Sequence, residues 1–190
     1  AEALSDATHA KGPHSKGTLI HDNATDIAIV GNLFASNVDR NPLLKGGGQA
    51  AVINNLIDNP KSIAISYNLS SSEWSGHTPV DGKLTIVGNV LQHGPDTNSG
   101  TALLRLFGGI CKTFMDDNLA FDKSGQAAKL VYGSPDAANF ITAKDLWHTS
   151  FQPLAASAVK AHVLATAGAS PNDRDAIDQR IVDAVKQGKG

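Results

Sequence analysis

Residues 27–37 read IAIVGNLFASN, and the same short phrase returns as AAVINNLIDNP at 50–60, LTIVGNVLQHG at 84–94 and KTFMDDNLAFD at 112–122. Each is a β-prone run, then an asparagine, then two or three mostly apolar residues. The shared asparagines are Asn32, Asn55, Asn89 and Asn118, at intervals of 23, 34 and 29 residues. Periods in this range, with runs this short, belong to stacked coils rather than to a sandwich or a wound α/β sheet. Asparagine tolerates the left-handed backbone of a sharp corner, so one Asn per repeat marks one corner of a coil. Stacking then aligns these residues into a ladder, each amide bonding the next. Asparagine is also common in ordinary turns, but here its flanking residues repeat with it. The expected fold is all-β, a right-handed parallel β-helix over residues 1–153, with a C-terminal extension at 154–190 that carries an α-helix.

The longest interval, from Asn55 to Asn89, holds SSSEWSGHTPVDG at 70–82. Its Ser, Gly and Pro content predicts a long loop leaving the coil, and such loops carry ligand contacts in solenoids. Trp74 and His77 lie in it, the tryptophan either stacking on a sugar or packing the loop onto its own scaffold. After about residue 123 the repeat decays: GQAAKLVYGS and NFITAKDLW retain strand character, and LAASAVKAHVLATAGAS (154–170) is too alanine-rich to assign between helix and extended chain. The end is clearer. A helix is expected near 172–187, capped by Asn172 or Ser170, with Asp173 and Asp175 in its first turn and Gly188 at its stop. Ile177, Ile181 and Val185, with Val182 beside them, are spaced to form its packing face.

The chain of 190 residues suffices to bury one core. Its formal charge of -2 gives no general attraction to nucleic acid or to an anionic membrane. No apolar run reaches the roughly 20 residues that span a bilayer, and AEALSDATHAKG lacks the regions of a signal peptide. The single cysteine, Cys111, excludes an intrachain disulfide and sits in an apolar run as a small core residue. Other local signals are weak. His9 and His14 have no third metal ligand nearby. KGGGQ lacks the residues of a phosphate loop and reads as a tight corner. MDDN (115–118) lacks the spaced acids of a calcium loop. NAT (23–25) and NLS (68–70) are acceptor sequons that matter only in a glycosylating source.

Four stretches together resemble a known family: HSKGTLI (14–20), DIAIVGNLFASN leading into DRNPLLKGG (39–47), AAVINNLIDNP, and GASPNDRDAIDQRIVDAVKQGKG (168–190). They look like the pectate lyases of polysaccharide lyase family 1, over residues 1–60 and the last stretch closely and over the middle loosely. That family carries an R-x-P-x-x-R loop after such a strand; here the loop reads Arg40, Asn41, Pro42, Leu43, Leu44, Lys45.

The resemblance implies cleavage of de-esterified pectin, polygalacturonate, by Ca²⁺-assisted β-elimination, giving 4,5-unsaturated oligogalacturonides. Arg40 matches the proton-abstracting base. Lys16 and Lys45 match positions that bind substrate, Lys45 standing where arginine is usual and so offering a point charge rather than a fork. Such an elimination removes the C5 proton beside a carboxylate and expels the C4 oxygen; its enediolate-like transition state calls for surrounding cations. Guanidinium ordinarily stays protonated, and the resemblance implies alkaline working conditions.

The family's Ca²⁺ ligands precede the segment that opens this chain, so no metal ligand is assigned within it. Asp6, Asp22, Asp26 and Asp39 read as solvated turn carboxylates. On this reading the chain is a C-terminal part of a secreted or periplasmic lyase. Its uncapped coil end then favours self-association or pairing with an N-terminal part. The alternative from another class is a non-catalytic carbohydrate-binding or structural β-helix.

Overall fold

The computed structural model describes all residues except 1–7, 11, 13, 14, 75, 148, 149 and 190. Strands arrive in threes. β1 (Leu19–Ile20), β2 (Ile27–Val30) and β3 (Leu33–Ala35) make the first coil; β4 (Leu43–Lys45), β5 (Gln49–Ile53) and β6 (Leu56–Asp58) the second. β7 (Ile65–Asn68), β8 (Gly82–Val87) and β9 (Val90–Gln92) follow, then β10 (Leu104–Leu106), β11 (Cys111–Asp116) and β12 (Leu119–Phe121). Each coil gives one strand to each of three four-stranded sheets, ordered β1-β4-β7-β10, β2-β5-β8-β11 and β3-β6-β9-β12. Every neighbouring pair is parallel. Three parallel sheets built from short strands in this order fit a parallel β-helix-like solenoid.

In-register pairing stacks like on like. Ile29, Val52, Ile86 and Met115 share one row of the second sheet, and Phe34, Ile57, Leu91 and Ala120 one row of the third. With Leu44, Tyr67 and Leu104 of the first sheet these side chains meet in one central core. Cys111 belongs to it at 0% exposure, and burial pushes its thiol up to about 12.

The asparagine ladder forms between the second and third sheets. Asn32 Nδ2 donates to Asn55 Oδ1 at 3.0 Å, Asn55 Nδ2 to Asn89 Oδ1 at 2.9 Å and Asn89 Nδ2 to Asn118 Oδ1 at 3.1 Å. The corner itself is made one residue earlier than expected. The left-handed positions are Gly31, Asn54, Gly88 and Asp117, with φ of 69°, 53°, 66° and 44°. These residues, small or able to bond their own backbone, turn the chain, and the ladder asparagines tie the turns together.

Beyond β12 pairing shrinks to single bridges, Leu104 with Val131, Thr113 with Phe140 and, antiparallel, Phe121 with Ala127. The alanine-rich stretch is helical: α1 spans Ala156–Thr166 and α2 spans Ala176–Gln187. Both cover the outer face of the third sheet, where Leu56 and Val90 meet Val159, Val163, Val182 and Val185. The cap of α2 is Asp175, whose carboxylate accepts from the Ile177 and Asp178 amides, rather than Asn172 or Ser170. The helix ends on left-handed Gly188 as expected. Its packing face turns out to be Val182 and Val185 with Ile181 beside them, while Ile177 is 63% exposed. No helix among the described residues is long and apolar enough to cross a membrane.

Candidate functional site

The loop Ser36–Pro42 joins the third sheet to the first, and its conformation is dictated by buried polar side chains. Ser15 Oγ donates to Asn37 Oδ1 at 2.7 Å, Asn37 Nδ2 to Asn41 Oδ1 at 2.8 Å, and Asn41 Nδ2 to the Ile63 carbonyl at 2.8 Å. Asn41 is fully buried and precedes a cis peptide bond to Pro42. Arg40 holds a left-handed backbone, φ 64°, unusual for a residue with a Cβ. Gly17 lies so close beneath that a Cβ there would collide with the Arg40 carbonyl, which accepts from the Thr18 amide at 2.8 Å. The backbone therefore over-determines where Arg40 sits.

Lys16 and Arg40 meet around one carboxylate. Lys16 pairs with Asp39 through a parallel bridge, and its Nζ donates to Asp39 Oδ2 at 2.7 Å. Arg40 Nε stands 3.9 Å from Asp39 Oδ1, too far for a hydrogen bond, and that buried oxygen has no other partner. The side chains of Lys16 and Arg40 are each 33% exposed and that of Asp39 21%. Asp39 is thus a paired carboxylate and not the solvated one expected. Asp22 departs likewise, since its Oδ1 is buried, whereas Asp26 is exposed. Asp6 and His14 lie outside the described residues; His9 is exposed.

Arg40 and Asp39 open onto a cleft of about 190 Å³, lined also by Leu43, Ser66, Asn68 and Phe107 on the outer face of the first sheet. Register places Leu19, Leu43, Ser66 and Arg105 in one outward row, and Lys45 beside Asn68 in the next. Lys45 does not line the cleft. Its side chain, 10% exposed, forms an ion pair with Glu73 of the long loop. That loop, between β7 and β8, folds into a short 3-10 helix at Ser71–Trp74. Trp74 is buried against Gly46 and Gly47 of the KGGG corner, so it packs the loop onto the scaffold and offers no sugar platform.

Arg105 escaped sequence reasoning. Its guanidinium lies 4.3 Å from the Phe107 ring centre and 4.2 Å from that of Tyr132. The signal was the alternation in LLRLF, which points one cation outward from an otherwise apolar strand. MDDN serves structure: Asp117 is a corner residue and its carboxylate accepts from the Ala156 amide at the start of α1. Among the described residues no group of three or more His, Cys, Asp or Glu side chains converges to hold a metal. Asp39, held between cations, does not suit Ca²⁺ either, so these residues alone do not fit that ion. No protein-family model, curated protein or solved structure matches the chain.

Proposed function

We propose that the chain carries a pectate lyase-like site for β-elimination on polygalacturonate, displayed on a right-handed parallel β-helix of the pectin lyase kind. The observation that carries this is the convergence of Lys16 and Arg40 on one carboxylate at the rim of a cleft on the outer face of the first sheet. A substrate uronate presents the same group as Asp39 and would exchange with it at Lys16. Arg40, as the neutral guanidine, would then take the C5 proton and become guanidinium as the C4–O bond breaks, leaving a C4=C5 double bond and, once water protonates the leaving oxygen, a new sugar hydroxyl. Lys16, and Lys45 if Glu73 swings away, neutralise the charge that grows on the carboxylate. The Ca²⁺ implied by the resemblance has no cage among these residues, and no step here depends on it.

The test is ultraviolet absorbance of the chain with polygalacturonate at alkaline pH, with and without Ca²⁺. Growth of unsaturated uronate that Arg40→Ala abolishes supports the reading. A folded chain that makes none in either condition refutes it for this chain. The second reading, a non-catalytic binder of acidic saccharides, is favoured by the fact that Lys16 and Lys45 both already hold carboxylates; it predicts oligogalacturonate binding without unsaturated ends. Exposed Val30 on edge strand β2 supports self-association or pairing at that coil end, and a monodisperse monomer by solution scattering would refute it.

A further inference from the structure

A cavity of about 650 Å³ opens between the loops that follow β9 and β12. It lies along the same corner of the solenoid as Arg40. The Lys61 amide donates to the Asn37 carbonyl, and the Asn98 amide to that of Lys61, so the corner loops stack coil upon coil. With strands about 4.8 Å apart, two to three rungs place the cavity roughly 10–14 Å from the Arg40 loop.

Its walls offer acceptors and cations in one place. His93, 9% exposed, forms its floor, and its Nε2 lies 2.8 Å from the Thr101 carbonyl. A carbonyl only accepts, so Nε2 is the donor there, and in the neutral ring Nδ1 keeps a lone pair. Nδ1 has no hydrogen bond among the described residues. Asp122 Oδ1 is saturated by the Ser124 amide, the Ser124 hydroxyl and the Gln126 amide, which leaves Oδ2 as a second acceptor. Hydrogen bonding from the Ser124 hydroxyl, and then from Gln126, holds this carboxyl below its usual range, so it is ionised. Lys123 gives one N–H to the Pro95 carbonyl at 2.8 Å and keeps two, and Lys129 is exposed at the wall.

Two acceptors call for ligand hydroxyls. Two lysines against one aspartate leave a net charge of one positive unit, which calls for a single anionic group. We propose that this cavity binds one uronate unit of an acidic saccharide, its hydroxyls donating to His93 Nδ1 and Asp122 Oδ2 and its carboxylate facing Lys129. The identity of the polymer rests on the function proposed above; the chemistry of the cavity does not.

The experiment uses the full chain carrying Arg40→Ala and Lys16→Ala, which silences the first cleft, titrated with digalacturonate and followed by amide NMR. Shifts should concentrate at 93–101 and 122–129, and Lys129→Glu, at an exposed position, should weaken binding by about fivefold or more. Galactobiose, the neutral counterpart, should bind more weakly than digalacturonate. No shifts at these amides, no effect of Lys129→Glu, or equal binding of the neutral sugar would each overturn the proposal. Absence of lyase activity in the unsubstituted chain, with this binding intact, would refute the function and leave the subsite standing.

Discussion

Truncating one rung of the asparagine ladder should cost far more in its middle than at its end. Asn89 is fully buried. Its Nδ2 donates to the Val52 and Val87 carbonyls at 2.8 and 3.2 Å and to Asn118 Oδ1, while its Oδ1 accepts from the Asn55 amide at 3.0 Å and from Asn55 Nδ2. Asn89→Ala leaves the Asn55 N–H, itself at 0% exposure, with no acceptor. One such orphan costs about 1–3 kcal/mol, and the other lost bonds bring the expected total to roughly 3 kcal/mol. Asn32 is exposed, and its truncation leaves Asn55 Oδ1 still accepting from the Asn32 amide at 2.9 Å; about 0.5 kcal/mol is expected there. Asn89→Asp should be as damaging as Ala near neutral pH, because a buried carboxylate would face three acceptors. Urea unfolding measures all three variants. Equal costs for Asn89→Ala and Asn32→Ala would refute the ladder as a cooperative buried element and reduce it to four independent turns.

Three other perturbations have definite expected results. Asp58, 1% exposed beneath α1, has its carboxyl pushed up to about 7 by burial, with Lys160 pulling the other way; the folded state keeps its proton where the unfolded chain has lost it, so this contribution, roughly 4 kcal/mol, is present below about pH 4 and fades as pH rises through 7. Urea titrations across that window should show it, and an unchanged slope in Asp58→Asn would exclude Asp58 as its source. Glu73→Gln frees Lys45 and should lower KM for polygalacturonate by roughly two- to fivefold, an unchanged KM showing that substrate never meets Lys45. Gly82→Ala drives a methyl into the fully buried Tyr67 ring and should cost about 1–3 kcal/mol; a neutral effect in thermal unfolding would mean that the ring has room to shift.

The coils were legible because their signal is local and repeated. Four short phrases, each with an asparagine in the same place, specify strand, corner and ladder without reference to distant residues. What the phrases hid was which residue turns the corner, since Gly31 and Gly88 share the duty with Asn54 and Asp117, and a mixed set of corner residues leaves no single letter to follow. The first C-terminal helix, α1, was harder for a different reason. Ala-rich α1 has four buried residues, Ala156, Val159, Val163 and Leu164, but its small side chains give almost no contrast between its faces. Only the third sheet's outer surface decides which way it lies. At the site, the DRNP turn and Lys16 were readable as a basic loop and a neighbouring cation. Their partners were not: Asp39 belongs to Lys16 and Glu73 to Lys45 through coil stacking and loop folding that no spacing in the chain encodes.

Those pairings bear on how the site would work. A cation that waits in water for an anionic substrate spends its charge on solvent, whereas one that waits on a carboxylate exchanges like for like when a uronate arrives. Lys16 suits such an exchange, because its side chain is one-third exposed and its partner Asp39 keeps a second oxygen facing Arg40. Lys45 suits it less, since its ammonium is almost buried and its partner arrives on a loop anchored by Trp74. The two lysines are therefore unequal. Substrate would engage Lys16 without rearranging the fold, and would reach Lys45 only if the 3-10 segment at 71–74 lifted from the KGGG corner. Lys16→Ala should thus weaken binding whatever the state of the loop, while Lys45→Ala should matter only in Glu73→Gln. Additive losses of affinity for trigalacturonate in the Lys16→Ala, Lys45→Ala double variant, with Glu73 intact, would contradict that order.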